Sequence, residues 1–445
     1  MRPTDREILR LAVPAFFALI AEPLYLLSDS AIVGHLGTEE LAGLGIAGVV
    51  LQTIVGLCVF LAYGTTASVA RHLGAGDLRR ALTQGVDGVW LAVLLGAVAT
   101  VLGVAFSGPL VRAFGVSETV AGYAEDYLRV AMFGVTPLLV MLATTGVLRG
   151  LQDTRTPLYV AVVGNLVNVG LNLVLVFGLG PVPALGIVGA ALGSVLAQVG
   201  SAAVMVAVVV RAARREGASL APDRAGIRAA ARASVGLVIR TLTLRASLLV
   251  LTYAVALGVV DEASTSVATH QVAMTLWTFL AFALDAIAIA AQALTGRALG
   301  AGDLALTRRL TQRMIAWGLW SGVVTGLLVA AVSPWIGALF TPDTDVRALL
   351  VPVLLVIALG QPLAGVVFVL DGVLIGAGDG DYLARAGVVT LVAFAPVVLL
   401  VAAAGGGLVW IWVVFVTVFM GARGVVLVHR ARHDAWMVAG ASTVR

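Results

Sequence analysis

The chain has 445 residues, of which 60% are hydrophobic and only 12% are charged. A soluble domain is typically about half apolar and a quarter charged, so this composition excludes an ordinary water-soluble protein and predicts a chain surrounded by lipid. The net charge of +4 comes from arginine, because the sequence contains no lysine. This charge is spread over polar segments between apolar stretches, which argues against a nucleic-acid partner. The single cysteine, Cys58, excludes a disulfide framework and a cysteine metal site.

Twelve apolar stretches are long enough to cross a hydrocarbon core of about 30 Å as helices. In chain order they lie near residues 8–33, 41–70, 84–106, 119–147, 157–178, 185–210, 234–260, 265–295, 311–333, 346–374, 383–404 and 408–428. Irregular backbone in hydrocarbon would leave its polar groups unsatisfied, so each stretch is predicted to be helical. The N-terminus leads into the first stretch without a small-residue cleavage site, which favours a retained span over a removable signal.

The sequence repeats at an offset of 226 residues. The motif LGAGDL occurs at residues 73–78 and again at residues 299–304. The same offset relates Gly146, Gly150 and Asp153 to Gly372, Gly376 and Asp379. Duplicated, strongly apolar chains are typical of membrane transporters, which are built from two similar bundles. The predicted fold is therefore an all-α membrane protein with twelve transmembrane helices in two pseudo-symmetric six-helix bundles.

The two bundles are predicted to occupy residues 1–210 and 233–430. Residues 211–232 form the only long polar stretch and are predicted to be a cytoplasmic linker, with a cytoplasmic tail at residues 431–445. If the N-terminus and every second loop are assigned to one side, that side holds 23 arginines and the other holds three. By the positive-inside rule, both termini are then cytoplasmic. Six spans per bundle make the repeats parallel, related by an axis along the membrane normal.

Two carboxylates lie in the first span, where a buried charge costs a few kcal/mol and each is a functional candidate. Asp29 follows Glu22 by seven residues, so both lie on one helix face with Tyr25 between them. A carboxylate withdrawn from water can load and release a proton near neutral pH. We therefore predict that Asp29 is the coupling residue, with Glu22 as a second candidate. The alternatives are a structural carboxylate held by Asn or Tyr side chains and, for Glu22, a residue that lines an aqueous cavity.

The first bundle also contains prolines and amides that are candidates for a functional role. Pro14 and Pro23 each remove an intrahelical hydrogen bond and favour a bend in the first span, although membrane helices also tolerate proline for packing reasons. The fifth span carries three amides at helical spacing, Asn165, Asn168 and Asn172. Amides in lipid usually bond a neighbouring helix. Here they could instead hold Asp29 or ligate a cation.

The second bundle has its own polar candidates for a substrate cavity or a second coupling site. They are Asp285, Asp371, His270, Gln271 and Gln292. The Gly-rich segments 74–76 and 376–380 lack the strand and the lysine of a nucleotide site and are predicted to be tight turns. No histidine cluster or Ser/His/Asp set has a recognisable spacing, so neither an enzyme nor a metal or organic cofactor is predicted. An ion gradient or a partner would then drive transport.

Five segments resemble the multidrug and toxic compound extrusion (MATE) family of transporters. Residues 23–25 (PLY) and 29–37 (DSAIVGHLG) are similar to its first-span signature, and residues 148–157 (LRGLQDTRTP) resemble the loop after its fourth span. Residues 284–294 (LDAIAIAAQAL) and 370–377 (LDGVLIGA) are similar to the DinF-like branch of the family. The likeness covers essentially the whole chain.

The resemblance implies two six-helix lobes around a V-shaped cavity, which export organic, often cationic, drugs and toxins against proton or sodium entry. It places the coupling site at Tyr25, Asp29, Asn168 and Asn172, and the bending proline at Pro14. Some relatives carry Asp where this chain has Asn172. The site therefore has one carboxylate fewer, which favours the proton over sodium as the coupling ion. The resemblance further implies a monomer in the plasma membrane, with the lipid bilayer and small organic substrates as its partners.

Two alternatives stay open within the same superfamily, a sodium-coupled multidrug antiporter and a flippase for lipid-linked precursors. A flippase would bind anionic pyrophosphate head groups and so requires a ring of arginines in its cavity. Only Arg240 and Arg245 are predicted to lie inside a span. The arginine content of the spans therefore disfavours the flippase.

Overall fold

The computed structural model describes residues 3–258 and 263–441. Within them, twelve helical segments are long and apolar enough to cross a membrane, which confirms the predicted all-α membrane fold. The helices are α1 (Pro3–Gly34), α2 (Thr38–Leu57), α3 (Phe60–Gly74), α4 (Leu78–Arg112), α5 (Glu118–Ala131), α6 (Val135–Gly150), α7 (Arg155–Phe177), α8 (Gly186–Arg215), α9 (Arg224–Leu257), α10 (Ala263–Gly300), α11 (Leu304–Ile336), α12 (Thr344–Gly376), α13 (Gly380–Ala403), α14 (Leu408–Val414) and α15 (Met420–Arg432). The predicted segment ends that fall on residues 1–2, 259–262 and 442–445 lie outside the described residues.

Three of the spans consist of two helices each. These are the second span (α2 and α3), the fourth (α5 and α6) and the twelfth (α14 and α15). A 3-10 turn at Met132–Gly134 interrupts the fourth, and Pro137 just after it has no N–H to continue a regular helical ladder. A π-helical turn at Phe415–Phe419 interrupts the twelfth. Hydropathy predicts each of these spans as one uninterrupted stretch, because an apolar side chain adds the same hydropathy whether or not the helix is interrupted next to it.

The chain divides into two compact units. The first comprises residues 13–234, and the second comprises residues 1–12 together with residues 235–445. In the first unit, α6 packs against α3 and α4, and α7 packs against α8. In the second unit, α12 packs against α10 and α11. Most of the polar stretch 211–232 is helical, because α8 continues to Arg215 and α9 begins at Arg224.

One buried carboxylate explains why the first turns of α1 group with the second unit. Asp5 is 3% exposed and accepts hydrogen bonds from Arg313 Nε at 2.6 Å and Arg313 Nη2 at 2.8 Å. Trp317 Nε1 donates to the same carboxylate at 3.0 Å. A bidentate guanidinium pair of this kind fixes geometry as well as adding energy. The start of α1 is therefore fastened to α11.

The repeated LGAGDL motif forms the same helix–helix turn in both units. Gly76 and Gly302 have φ values of 79° and 74°, which cost an ordinary L-residue about 1–2 kcal/mol. Asp77 and Asp303 each cap the next helix, accepting a hydrogen bond from the backbone N–H three residues later at 2.8 Å and 2.7 Å. Turn geometry thus accounts for both the glycine and the aspartate of the motif.

Replacing Gly76 or Gly302 with alanine is expected to lower the free energy of unfolding by about 1–2 kcal/mol. A Cβ at either position would meet no heavy atom within 4 Å, so the cost is conformational and not steric. Gly45, inside α2, has an equally open Cβ position, and Gly45→Ala is expected to be neutral or stabilising. Thermal unfolding of the purified variants in detergent measures both effects. A Gly76→Ala protein as stable as the wild type would contradict the assigned turn.

Each unit also contains a helix crossing that only glycine permits. A Cβ at Gly146 of α6 would lie 2.5 Å from Ala62 O of α3, and a Cβ at Gly372 of α12 would lie 2.5 Å from Ala288 O of α10. The offset of 226 residues relates both members of the first pair to the second pair. Small residues at such crossings let helix backbones approach closely in lipid. The sequence repeat therefore corresponds to a repeated packing of helices.

Candidate functional site

A hydrogen-bonded group of polar side chains surrounds Asp29 in the first unit. Asn172 Nδ2 donates to Asp29 Oδ1 at 2.7 Å, and Ser194 Oγ donates to Asp29 Oδ2 at 3.1 Å. Asp29 and Ser194 are each 3% exposed, and Asn172 is fully buried. Within the described residues, Asp29 forms no ion pair. Both carboxylate oxygens are therefore held by neutral donors.

A second set of bonds connects Asn168 and Tyr25 to this group. Asn168 Nδ2 donates to Ser194 Oγ at 3.1 Å and to Tyr25 OH at 3.4 Å. Gln198 Nε2 also donates to Tyr25 OH at 3.4 Å. The structure thus brings together the four residues of the predicted coupling site, which are Tyr25, Asp29, Asn168 and Asn172.

Helical spacing explains why three helices meet here. Each contributes two residues that are four apart: Tyr25 and Asp29 on α1, Asn168 and Asn172 on α7, and Ser194 and Gln198 on α8. Residues four apart lie one turn above one another on the same helix face. In lipid, the polar side chains on such helix faces form hydrogen bonds with one another, because no water competes for these bonds.

The two oxygens of Asp29 have donors of different kinds. The amide nitrogen of Asn172 can only donate a hydrogen bond, whereas the hydroxyl of Ser194 can rotate and either donate or accept. If Asp29 takes up a proton, Oδ2 can carry it and donate to Ser194 while Oδ1 still accepts from Asn172. The group can therefore hold Asp29 in a charged and in a neutral form without breaking either contact.

The remaining first-unit candidates lie along α1 and α7. The helix α1 runs unbroken through both prolines, Pro14 and Pro23. Asn165 Nδ2 donates to Ala21 O at 2.6 Å, two residues before Pro23, and so connects α7 to the proline-containing part of α1. Glu22 is exposed, in contrast to Asp29, so the two carboxylates of the first span have different environments.

The polar candidates of the second unit have separate surroundings. His270 is 2% exposed, with Nε2 at 3.2 Å from Thr252 Oγ1 and its ring 5.7 Å from that of Trp412. Gln292 is buried, Asp285 is half-buried and Gln271 is exposed. In the described part of the chain, no group of three or more His, Cys, Asp or Glu residues could hold a metal ion.

Asp371, in contrast, is paired with two arginines. Its carboxylate bonds the guanidinium of Arg240, and Arg423 Nη2 lies 3.5 Å from Asp371 Oδ1. Asp371 is 6% exposed and Arg423 is 9% exposed. Because Arg423 lies within the twelfth span, the prediction that only Arg240 and Arg245 lie inside a span is wrong. Arg423 also falls within the predicted twelfth stretch, residues 408–428, so the count of arginines inside spans overlooked it.

Three residues of the Asp29 group were missing from the sequence prediction. Ser194 and Gln198 lie four residues apart in the otherwise apolar first half of α8, and this spacing is the signal that could have identified them. Tyr127 of α5 is 4% exposed and contacts Ser194. A tyrosine in a span is most often a packing residue, so the sequence contains no comparable signal for Tyr127.

The second unit does not repeat the amide pair. The offset of 226 residues relates α7 to α13 nearly end to end and places Phe394 and Val398 where α7 has Asn168 and Asn172. Phe394 and Val398 are both fully buried. The first unit therefore has hydrogen-bond donors at these positions, and the second has apolar packing.

Comparison with known proteins identifies the family. The MatE family model matches residues 14–174 and 244–401. The chain belongs to the MATE family. The matched ranges contain the four residues of the predicted coupling site, and the resemblance seen in the sequence motifs is confirmed.

Similar MATE proteins extend over nearly the whole chain. Protein DETOXIFICATION 44, chloroplastic, of Arabidopsis thaliana is 32% identical over 91% of this chain and 78% of its own length. DNA damage-inducible protein F of Escherichia coli (strain K12) is 29% identical over 98% of this chain and 95% of its own length. A solved MATE structure in the straight conformation superposes with a TM-score of 0.86 at 22% identity, covering 97% of both chains. At that identity the superposition establishes a shared fold.

Proposed function

We propose that this MATE protein exports organic, often cationic, drugs or toxins in exchange for protons entering the cell, with Asp29 as the proton carrier. The observation that carries the proposal is a deeply buried carboxylate whose two hydrogen-bond donors, Asn172 and Ser194, are both neutral. A neighbouring guanidinium favours the charged form of a carboxylate, and Asp371 has such a partner in Arg240. Asp29 has no such partner among the described residues and can change its protonation state during a transport cycle.

Proton binding and substrate binding would compete through α1. Protonation of Asp29 turns Oδ2 from an acceptor into a donor and reverses the bond to Ser194. It also removes a negative charge that attracts a cationic substrate. Such a difference in affinity between two states is what a ligand needs in order to shift a conformational equilibrium. Pro14 and Pro23 each remove a backbone hydrogen bond from α1. The helix can therefore bend at these positions with the smallest loss of free energy.

One observation favours sodium as an alternative coupling ion. Asn172 Oδ1 is buried and has no hydrogen-bond partner among the described residues, and it belongs to the side chain that bonds Asp29. An amide carbonyl oxygen and a carboxylate oxygen are both ligands of the kind that a hard cation prefers. The site would offer that cation only one carboxylate. For this reason we favour the proton over sodium as the coupling ion.

The flippase gains no support from the arrangement of arginines. Arg240, one of the two arginines predicted inside a span, forms an ion pair with Asp371 and is not free to bind a pyrophosphate head group. We place the protein in the plasma membrane with both termini in the cytoplasm. The orientation of the termini is supported by the excess of arginine in every second loop.

The test is an exchange measurement in proteoliposomes. Vesicles with an acidic lumen and an entrapped pH dye receive ethidium, a permanent cation that cannot collapse the pH gradient as a weak base would. Antiport predicts that the lumen becomes alkaline on ethidium addition, and only in vesicles that contain protein. A second set has equal pH on both sides and a sodium-loaded lumen. Ethidium uptake in that set alone would assign sodium as the coupling ion, and no exchange in either set would contradict the proposed export.

A further inference from the structure

The last turns of α8 have one face buried in the first unit. Met205, Val209 and Ala213 are at most 2% exposed and pack in a core cluster that also contains Val69 and Ala218. These three residues recur at intervals of four along α8, so they form one continuous stripe. Because this stripe is in the core, the opposite side of α8 is turned away from the protein.

The chain that follows α8 fixes this orientation. Gly217 has φ 63°, and Ala218 N donates to Ala213 O at 2.8 Å, which ends the helix in a Schellman-type turn. Two residues later, Leu220 O accepts a hydrogen bond from Trp90 Nε1 of α4 at 3.1 Å. Rotation of α8 about its own axis would break these contacts, so the outward side is a fixed surface.

Three arginines stand on the outward side. Arg211, Arg214 and Arg215 line an open groove of about 440 Å³ together with Ala207 and Val210. All three arginines are exposed, and none forms an ion pair within the described residues. The adjacent Glu216 is exposed and forms no ion pair there either. The groove is therefore lined by three cationic and two apolar side chains.

The groove continues an apolar stripe of the sixth span. Leu196, Val199 and Val204 are 47%, 48% and 52% exposed along the preceding turns of α8. On the lipid-facing side of a transmembrane helix, exposed apolar side chains contact acyl chains, and residues at the end of the span lie at the level of the head groups. The stripe and the arginines together match the two chemical parts of a phospholipid.

The corresponding end of the last span is built differently. Arg430 Nε of α15 donates to Asp379 Oδ2 at 2.7 Å, and its guanidinium lies 4.8 Å from the ring of Tyr382. That arginine is satisfied by the protein itself. Arg430 is thus neutralised within the protein, whereas Arg432 in the same turn is exposed and, like the three arginines of α8, forms no ion pair within the described residues.

We propose that Arg211, Arg214 and Arg215 bind the phosphate head group of an anionic phospholipid, with an acyl chain lying along Ala207 and Val210. Guanidinium groups suit this ligand, because their planar donor pairs match two phosphate oxygens. Clusters of basic residues next to a membrane span also attract anionic lipid over zwitterionic lipid. The site is independent of the transport chemistry at Asp29 and of which way the chain faces across the membrane.

The test compares two triple variants of the full chain. One is Arg211→Gln/Arg214→Gln/Arg215→Gln. The matched control, Arg79→Gln/Arg80→Gln/Arg155→Gln, removes the same charge from exposed arginines of the same unit. Binding of fluorescent phosphatidylglycerol is titrated in micelles that contain excess phosphatidylcholine, and thermal unfolding confirms that both variants fold.

We expect saturable binding that is at least about tenfold weaker in the first variant and nearly unchanged in the control. Equal losses in both variants would show only a diffuse attraction to positive charge and would overturn the site. Fluorescent phosphatidylcholine that binds as tightly as phosphatidylglycerol would also overturn it. Competition by inorganic phosphate at the concentration of the lipid would assign the arginines to a free anion and would overturn the lipid as ligand.

Discussion

Replacing Asp29 with asparagine is expected to reduce proton-driven ethidium exchange to the level of empty vesicles. Asparagine has nearly the same shape, so its carbonyl oxygen can accept from Asn172 and its amide nitrogen can donate to the Ser194 hydroxyl after that hydroxyl rotates. The variant therefore resembles the protonated state permanently and cannot release a proton. Because the hydrogen bonds are kept, the free energy of unfolding should change by no more than about 1 kcal/mol. The proteoliposome assay measures the exchange, and thermal unfolding in detergent measures the stability.

The control for this experiment is Glu22→Gln on the same helix. Glu22 is exposed, so its neutralisation is expected to leave proton-driven exchange at a measurable rate. If Glu22→Gln loses exchange as completely as Asp29→Asn, the two carboxylates act together, and the assignment to Asp29 alone is wrong. If Asp29→Asn retains the wild-type rate, the coupling residue lies elsewhere.

Replacing Asp371 with asparagine is expected to destabilise the second unit by about 3–5 kcal/mol. The variant would leave the guanidinium groups of the buried Arg423 and the partly buried Arg240 close to one another without the carboxylate that both contact. Removing one partner of a buried ion pair costs far more than the pair itself contributes, because the remaining charge loses its compensation. Thermal or denaturant unfolding of the purified variant measures this loss.

The matched control replaces all three members with apolar residues, as Arg240→Met/Asp371→Leu/Arg423→Met. Removing a complete buried ionic group is often neutral or stabilising, so this triple variant should be clearly more stable than Asp371→Asn. Stability of Asp371→Asn equal to that of the wild type would show that the arginines do not depend on this carboxylate.

The spans could be predicted from the sequence because each needs a long apolar stretch, and this constraint acts on every residue of the stretch. The turns at Gly76 and Gly378 were predictable for a similar reason, since few residues tolerate their backbone conformation. The breaks within the second and twelfth spans were not predictable, because they change the backbone without changing the hydropathy, whereas Pro137 was an available signal for the break in the fourth span. The π-helical turn at Phe415–Phe419 is an example, since nothing in its apolar sequence distinguishes it from an ordinary helix.

The cost of polar residues in lipid also decides which residues of the Asp29 site could be predicted from the sequence. Asp29, Asn168 and Asn172 are costly in lipid and therefore stand out from the sequence. Ser194 is inexpensive in a span and did not stand out, although it donates to the Asp29 carboxylate. Likewise, Arg240 and Asp371 could each be named as polar residues in spans, but their pairing depends on which helix faces meet. Contacts between distant segments are set by packing, and hydropathy carries no information about them.

In the second unit, the apolar residues Phe394 and Val398 occupy the positions equivalent to Asn168 and Asn172. The absence of this amide pair from the second unit limits the driving force available for exchange. With the proposed coupling through Asp29 alone, one proton crosses per cycle. Exchange of one proton for one monovalent cation moves no net charge, so the membrane potential contributes nothing to the driving force. The pH difference alone then sets the limit, at about a tenfold concentration ratio of substrate for each pH unit. A divalent cation would instead move against the membrane potential, so such a chain would favour singly charged compounds.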